Sequence, residues 1–293
     1  MSSGEASALR AGNPPVAVEG PDGPIRLKWH KLRTSLDQAP FKLSNLALGW
    51  KLGASLEVDI IAAADGRFVV MHDATLGPST TGRGRVSAKP ASAMNGLFHR
   101  DEKGASDPDA PVLSLAELIA QLKKMPSATT SNLQLDLKIL EGHLRTEESV
   151  ADAAAAIAEI GNAIVVGSHY LEEARRLVAA IPGARLGYDP MLAASRDPGL
   201  ARNPERLLRH MERRREGVTL AYLRFDAVIA AEKHGFPLVR RLLDLGIETD
   251  AWTINPGPST TDVVLRALAE AGVRQITTDA PAEIARQARR AIR

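Results

Sequence analysis

The sequence predicts an α/β fold of parallel strands, in the frame of a closed eight-stranded barrel, and three observations point there. Strand and helix patterns alternate regularly through the second half of the chain, which implies parallel strands joined by helical crossovers. A length of 293 residues accommodates such a barrel, which takes about 250. Acidic and basic side chains also recur on one phase of three strands, where a barrel interior would otherwise carry branched aliphatics.

In order, residues 1–24 are rich in Gly, Pro, Ser and Ala without periodicity and read as a flexible leader. The domain proper is expected over residues 25–293. A short strand, Ile25–Trp29, delivers His30, and a helix over 43–52 is stopped by Gly53. Strands follow at 55–61 and 67–72. The polar segment 74–110 shows little secondary structure and reads as an insertion after the third strand, near the active site. Ser114 and Glu117 then make a capping box ahead of a helix to Lys124. Further strands are expected at 133–139, 163–167, 184–188, 220–225, 247–254 and 275–278. Helices are expected at 149–160, 171–180, 204–215, up to Leu245, at 261–271 and at 281–292. This gives one strand too many for the barrel, and Leu220–Phe225 is taken as the one that lies outside it or is not a strand.

The chain is organised around Ser55–Asp73. Leu56, Val58 and Ile60 share one face of the first strand, and Ser55, Glu57 and Asp59 the other. Two carboxylates side by side in a barrel interior need a cation, and oxygen donors suit Mg2+ or Ca2+. The alternative is a solvated edge strand. It loses ground at Leu133–Ile139, where Asp136 and Lys138 repeat the same phase, and at Met71-His72-Asp73, which closes the second strand. At C-terminal strand ends these groups would converge on one mouth.

Composition excludes several classes. Lys plus Arg number 37 against 35 Asp plus Glu, a net charge of +2, and aromatics are 4%. Neither favours nucleic acid. Without cysteine there is no disulfide, zinc-thiolate site or cysteine nucleophile. No signal peptide or membrane-length apolar run is evident, so a cytoplasmic protein without stable membrane insertion is expected. Oligomeric state is not legible.

The motifs together resemble the glycerophosphodiester phosphodiesterase family. Its pattern runs His-Arg-Gly, Glu-Asn-Thr, Glu-x-Asp, His-Asp, a Thr-Thr-x-x-Gly run just after it, Glu-x-Lys, Trp-Thr-x-Asn and Thr-Asp-x-Pro. Glu57-Val58-Asp59, His72-Asp73, Thr80-Thr81-Gly82-Arg83-Gly84, Trp252-Thr253-Ile254-Asn255 and Thr278-Asp279-Ala280-Pro281 match it. His30-Lys31-Leu32, Ser44-Asn45-Leu46 and Asp136-Leu137-Lys138 depart from it, which marks a divergent branch and bears on the substrate.

The resemblance implies a TIM (β/α)8 barrel that hydrolyses a phosphodiester with one divalent ion, a reaction of lipid metabolism. Glu57, Asp59 and Asp136 would bind the metal, and His30 and His72 would act as general acid and base. Arg33 and Lys138 would meet the phosphate, with Asn45 and Trp252 also in the substrate site; the alternatives are a helix-entry role for Asn45 and a core role for Trp252. The partner is a small phosphodiester, glycerophosphodiester or sugar phosphodiester. A lyase that stops at a cyclic phosphate and a noncatalytic phosphate-binding barrel are the competing readings. His99, His143, His169, His210 and His234 have no partner pattern, and Arg209, Arg213, Arg214 and Arg215 read as a solvated helix face.

Overall fold

A computed structural model describes residues 12–138, 147–257 and 260–292. Among these, the strands are β1 (Ala17–Gly20), β2 (Gly23–Trp29), β3 (Ser55–Ala62), β4 (Phe68–Val70), β5 (Phe98–Arg100), β6 (Ser106–Pro111), β7 (Asn132–Lys138), β8 (Ile164–Ser168), β9 (Arg185–Tyr188), β10 (Val218–Arg224), β11 (Glu248–Trp252) and β12 (Gln275–Thr278). The fold class is the TIM (β/α)8 barrel. Its residues cluster into two compact units, Lys31–Leu186 and Met1–His30 with Gly187–Arg293. The C-terminal part of the 133–139 strand, Ile139, and all of His143 lie outside the described residues.

In the Lys31–Leu186 unit, β3 is buried along its whole length, as expected for a strand covered on both faces. It pairs in parallel with β7, and β7 with β8. β4 runs antiparallel to β3, so it is the strand that stands outside the parallel set. The expectation that Leu220–Phe225 was the extra strand is therefore corrected. Its Val218–Arg224 backbone pairs in parallel with β11, and the hydrophobic pattern alone could not tell a short returning strand from a barrel strand.

The 74–110 insertion is more ordered than its composition suggested. It carries a short helix, Leu76–Ser79, two 3-10 turns, and the antiparallel pair β5–β6. Leu76, Val86, Ala91, Met94 and Val112 form a small apolar cluster with Ile61 and Val69 from the strands and Met71 just past β4. Spacing between these anchors is irregular, so no period announced them. The capping box at Ser114 and Glu117 is present ahead of helix Leu115–Leu122. Helix Leu43–Leu52 ends at Gly53, whose φ of 84° only glycine adopts freely.

In the other unit, β1 and β2 form an antiparallel pair, which corrects the leader: chain order begins by Ala17, and residues 1–11 lie outside the described range. β2, β12, β11 and β10 pair in parallel, in that order. Their interior is polar. Lys28 Nζ lies 2.6 Å from Asp250 Oδ2, and both residues are buried. Gln275 Nε2 and Thr277 Oγ1 donate to the same carboxylate, and the ammonium sits 4.5 Å from the Tyr222 ring centre. Full hydrogen bonding is what makes a buried ion pair tolerable. Two helices, Phe225–Lys233 and Leu238–Asp244, replace the single one expected, because Gly235 at φ 69° and Pro237 break the run. Helix Pro204–Glu212 leaves Arg209 exposed, with Arg213 to Arg215 exposed beyond it.

Candidate active site

The parallel register of β3 and β7 sets Asp59 directly opposite Asp136. Like charges so placed repel unless a cation intervenes. Glu57 stands two residues back on the same phase, and one donor atom from each of the three carboxylates lies within 4.8 Å of the others. Glu57 and Asp59 are buried. Lys138 answers part of this charge, 2.6 Å from Asp136 Oδ2 and 3.1 Å from Asp59 Oδ1. Burial pushes its ammonium down, but the carboxylates of Asp136 and Asp59 outweigh that, and the net shift is strongly upward.

Three carboxylates against one ammonium leave two negative charges. Asp59 Oδ2 is buried with no hydrogen-bond partner. An orphaned anionic oxygen in an all-oxygen donor set fits a hard divalent cation, so the residues present suit the implied ion.

Glu57 is oriented by the main chain: the Lys31 N–H donates to its Oε2 at 2.7 Å. The loop that supplies this donor is strained. Lys31, Leu32 and Phe41 all have positive φ, at 52°, 56° and 62°, without being glycine. Leu32 stands where the family pattern has Gly, takes a left-handed backbone, and fills the core with its side chain. Asn45 is buried and donates from Nδ2 to Leu32 O at 2.8 Å and to Gln38 Oε1 at 2.9 Å. Its amide hydrogens are thus engaged with this loop. Arg33 Nη1 lies 3.5 Å from Glu102 of the insertion.

His72 follows β4, whose exit is fixed by Met71 N–H donating to Asp59 O. Its Nδ1 is 2.8 Å from Asp73 Oδ1, and the side chain is 45% exposed. Burial pushes the Asp73 carboxyl up, but the hydrogen bond and charge of His72 prevail and hold it below the ordinary range. In the other unit His30 makes a similar couple, Nδ1 to Asp279 Oδ1 at 2.9 Å. Asn255 Nδ2 donates to Asp279 Oδ2 at 2.7 Å, and Asn255 Oδ1 accepts from Asp279 N. A carboxylate at Nδ1 sets the tautomer and leaves Nε2 for proton transfer. Trp252 ends β11, with its Nε1 buried and without a hydrogen-bond partner.

The insertion is tied to the helix that carries Asn45. Asp107 pairs with Lys42 Nζ, and Asp109 accepts from the Ser44 N–H at 3.2 Å. Burial pushes the Lys42 ammonium down, yet bonding to Asp107 raises it overall, while that same bond lowers Asp107.

The glycerophosphoryl diester phosphodiesterase family pattern matches residues 45–283. The chain belongs to that family. As a member it is a phosphoric diester hydrolase. The match begins at Asn45, just past the two departures at residues 30–32 and 44. Among solved structures, the glycerophosphodiester phosphodiesterase from Agrobacterium tumefaciens is 17% identical, with 89% of this chain and 99% of that one covered and a TM-score of 0.62. The Oleispira antarctica phosphodiesterase, solved in complex with the product sn-glycerol-3-phosphate, is 20% identical over 89% and 95%, with a TM-score of 0.63. The Thermotoga maritima enzyme is 17% identical over 89% and 96%, with a TM-score of 0.57. At these identities the likeness speaks for the fold. No curated protein matches the chain. Asp279 and Asn255 were visible in the sequence as pieces of the family's two last motifs, but nothing in their spacing linked them to His30. Among the described residues no helix is long and apolar enough to cross a membrane.

Proposed function

We propose that this family member hydrolyses a glycerophosphodiester, or a related sugar phosphodiester, to a phosphomonoester and an alcohol, with one Mg2+ or Ca2+ held by Glu57, Asp59 and Asp136. The observation that carries the reading is the carboxylate cluster, whose donor atoms lie within 4.8 Å of one another. The bound ion would supply charge neutralisation for the nonbridging phosphate oxygens.

The rest falls to the chain's own groups. One of His30 and His72 takes the proton of the attacking hydroxyl at Nε2, and the other delivers a proton to the departing alkoxide. Where the substrate's own hydroxyl attacks, the product of this first step is a cyclic phosphate. Water then opens it with the two imidazoles in exchanged roles. Asp73 and Asp279 orient the rings and stabilise the protonated forms. Lys138 and Arg33 add positive charge toward the phosphate, and Trp252 forms part of the substrate wall. A glycerophosphodiester is a phospholipid stripped of its acyl chains, so the reaction belongs to lipid turnover, and a cysteine-free chain suits the reducing cytoplasm.

Phosphorus NMR of glycerophosphocholine and glycerophosphoinositol incubated with the protein tests the assignment. A monoester resonance is expected, abolished by EDTA and restored by Mg2+ or Ca2+. Accumulation of a stable cyclic phosphate assigns a lyase instead, and full turnover by rigorously metal-free protein refutes the metal reading.

A further inference from the structure

The strained loop that presents the Lys31 amide to Glu57 is held by side chains that touch no carboxylate of the cluster. Lys31, Leu32 and Phe41 are left-handed without being glycine, a conformation that crowds Cβ against the following carbonyl. Such a backbone persists only when its surroundings over-determine it. The main chain closes the loop with Phe41 N–H to Lys31 O at 2.7 Å, and Gln38 N–H to Ser35 O and Ser35 Oγ to Asp37 shape the turn inside it. The side-chain bonds between its limbs converge on two amides. Gln38 Oε1 accepts from Thr34 N at 2.9 Å, Thr34 Oγ1 at 3.1 Å and Asn45 Nδ2 at 2.9 Å, while Asn45 Nδ2 also reaches Leu32 O.

Asn45 sits in the first turn of helix Leu43–Leu52, a rigid mount, and is buried. It therefore bridges both limbs of the loop. One limb runs through Leu32 directly to Lys31, the residue whose N–H fixes the Glu57 carboxylate.

We propose that Asn45, acting through Gln38 and the Leu32 carbonyl, is a positioning residue that locks the Lys31–Phe41 loop so that the Lys31 amide orients Glu57 as a cation ligand. Partners that orient a metal ligand typically change metal affinity by about 10–100-fold when removed. The inference rests on the reading of Glu57 as a ligand, and its test separates the two.

Calcium binding to the full-length chain is measured by calorimetry for wild type, Asn45→Ala and Gln38→Ala. Hydrogen exchange of the Lys31–Phe41 amides is followed in the metal-free proteins. Gln38 is half-buried, so its truncation is the milder change and keeps the test open if Asn45→Ala does not fold. Both substitutions should weaken calcium binding by about tenfold or more and speed exchange of the Lys31 amide, with the circular dichroism spectrum unchanged. A purely structural role would lower Tm without moving the affinity of the folded protein. Gln38→Ala protein that is folded, with calcium affinity within twofold of wild type or with unchanged Lys31 exchange, overturns the proposal. Wild-type protein that binds no divalent ion instead sinks the metal reading, and the exchange arm then decides alone whether Asn45 holds the Lys31 amide on Glu57.

Discussion

Acidification should loosen the insertion through His99, and the size of the effect follows from where the ring sits. Its side chain is 1% exposed and meets Phe41 edge-on, with ring centres 4.9 Å apart. Nε2 is enclosed without a hydrogen-bond partner, so protonation would bury a charge and a donor with no acceptor. Burial pushes this imidazole down from 6.5 to about 4, against the opposing pull of the Val70 main chain and the Asp73 charge. The folded pKa thus lies below the unfolded one, and as pH falls the unfolded chain takes the proton first. Stability from this group is complete above about pH 6.5, declines between 6.5 and about 4, and levels off once the folded form also protonates. At about 1.36 kcal/mol per unit the loss is roughly 2–3 kcal/mol by pH 4.5. Urea unfolding of wild type and His99→Phe across pH 4.5–7 measures it. Carboxylates that protonate in the same range are common to both proteins and cancel in the difference. The constant offset between the curves reports repacking, and their divergence reports the proton. Curves that stay parallel over the whole range would refute the argument.

Two further outcomes are expected. Replacing His30 or His72 by Ala should lower kcat by roughly 10²–10⁴-fold and flatten one limb of a bell-shaped kcat/KM profile, with little change in Tm. His169→Ala is the comparison: it follows β8 but belongs to no His–Asp motif, and a crippled His169 variant beside a near-normal His72 variant would move the acid–base pair elsewhere. Leu32→Gly restores the family's residue and relieves a left-handed leucine, worth roughly 1–2 kcal/mol. It also deletes a fully buried side chain, and large-to-small replacement of that kind costs about 2–5 kcal/mol. The chain should lose stability in chemical denaturation; a gain would show that strain rather than packing governs this position.

The carboxylate cluster was legible because period-two alternation put Glu57, Asp59, Asp136 and Lys138 on one phase, and a register that sets Asp59 beside Asp136 gives that phase its meaning. The two His–Asp couples were half legible. Asp73 adjoins His72 in the chain, whereas Asp279 meets His30 across 249 residues, a pairing only the sheet order creates. Lys28 and Asp250 escaped notice for the same reason: each shares its strand with a like charge two residues earlier, Arg26 and Glu248, and their mutual neutralisation depends on β2, β12 and β11 lying side by side. Residues 30–41 were opaque because left-handed backbone at Lys31, Leu32 and Phe41 contradicts local preference and is imposed by tertiary bonds. Asn45 shows the limit of motif reading. Its place in a familiar triplet suggested the substrate, while its hydrogens go to Leu32 and Gln38.

The helix Leu43–Leu52 has no acidic residue in its first turn and no side-chain cap from Lys42. Where the family pattern carries Glu, this chain has Ser44, and the missing negative charge arrives from Asp109, 65 positions later. That substitution makes two stretches of sequence hereditary partners. A chimaera that receives a relative's loop in place of residues 74–110 would keep Ser44 but lose its carboxylate, and the exposed N–H groups at the helix start would fray. Because Asn45 stands in that same turn, the fault would travel to the Lys31 loop and to Glu57. A loop grafted into this chain should therefore bring a carboxylate to the place of Asp109, or be paired with Ser44→Glu, to keep this helix start ordered.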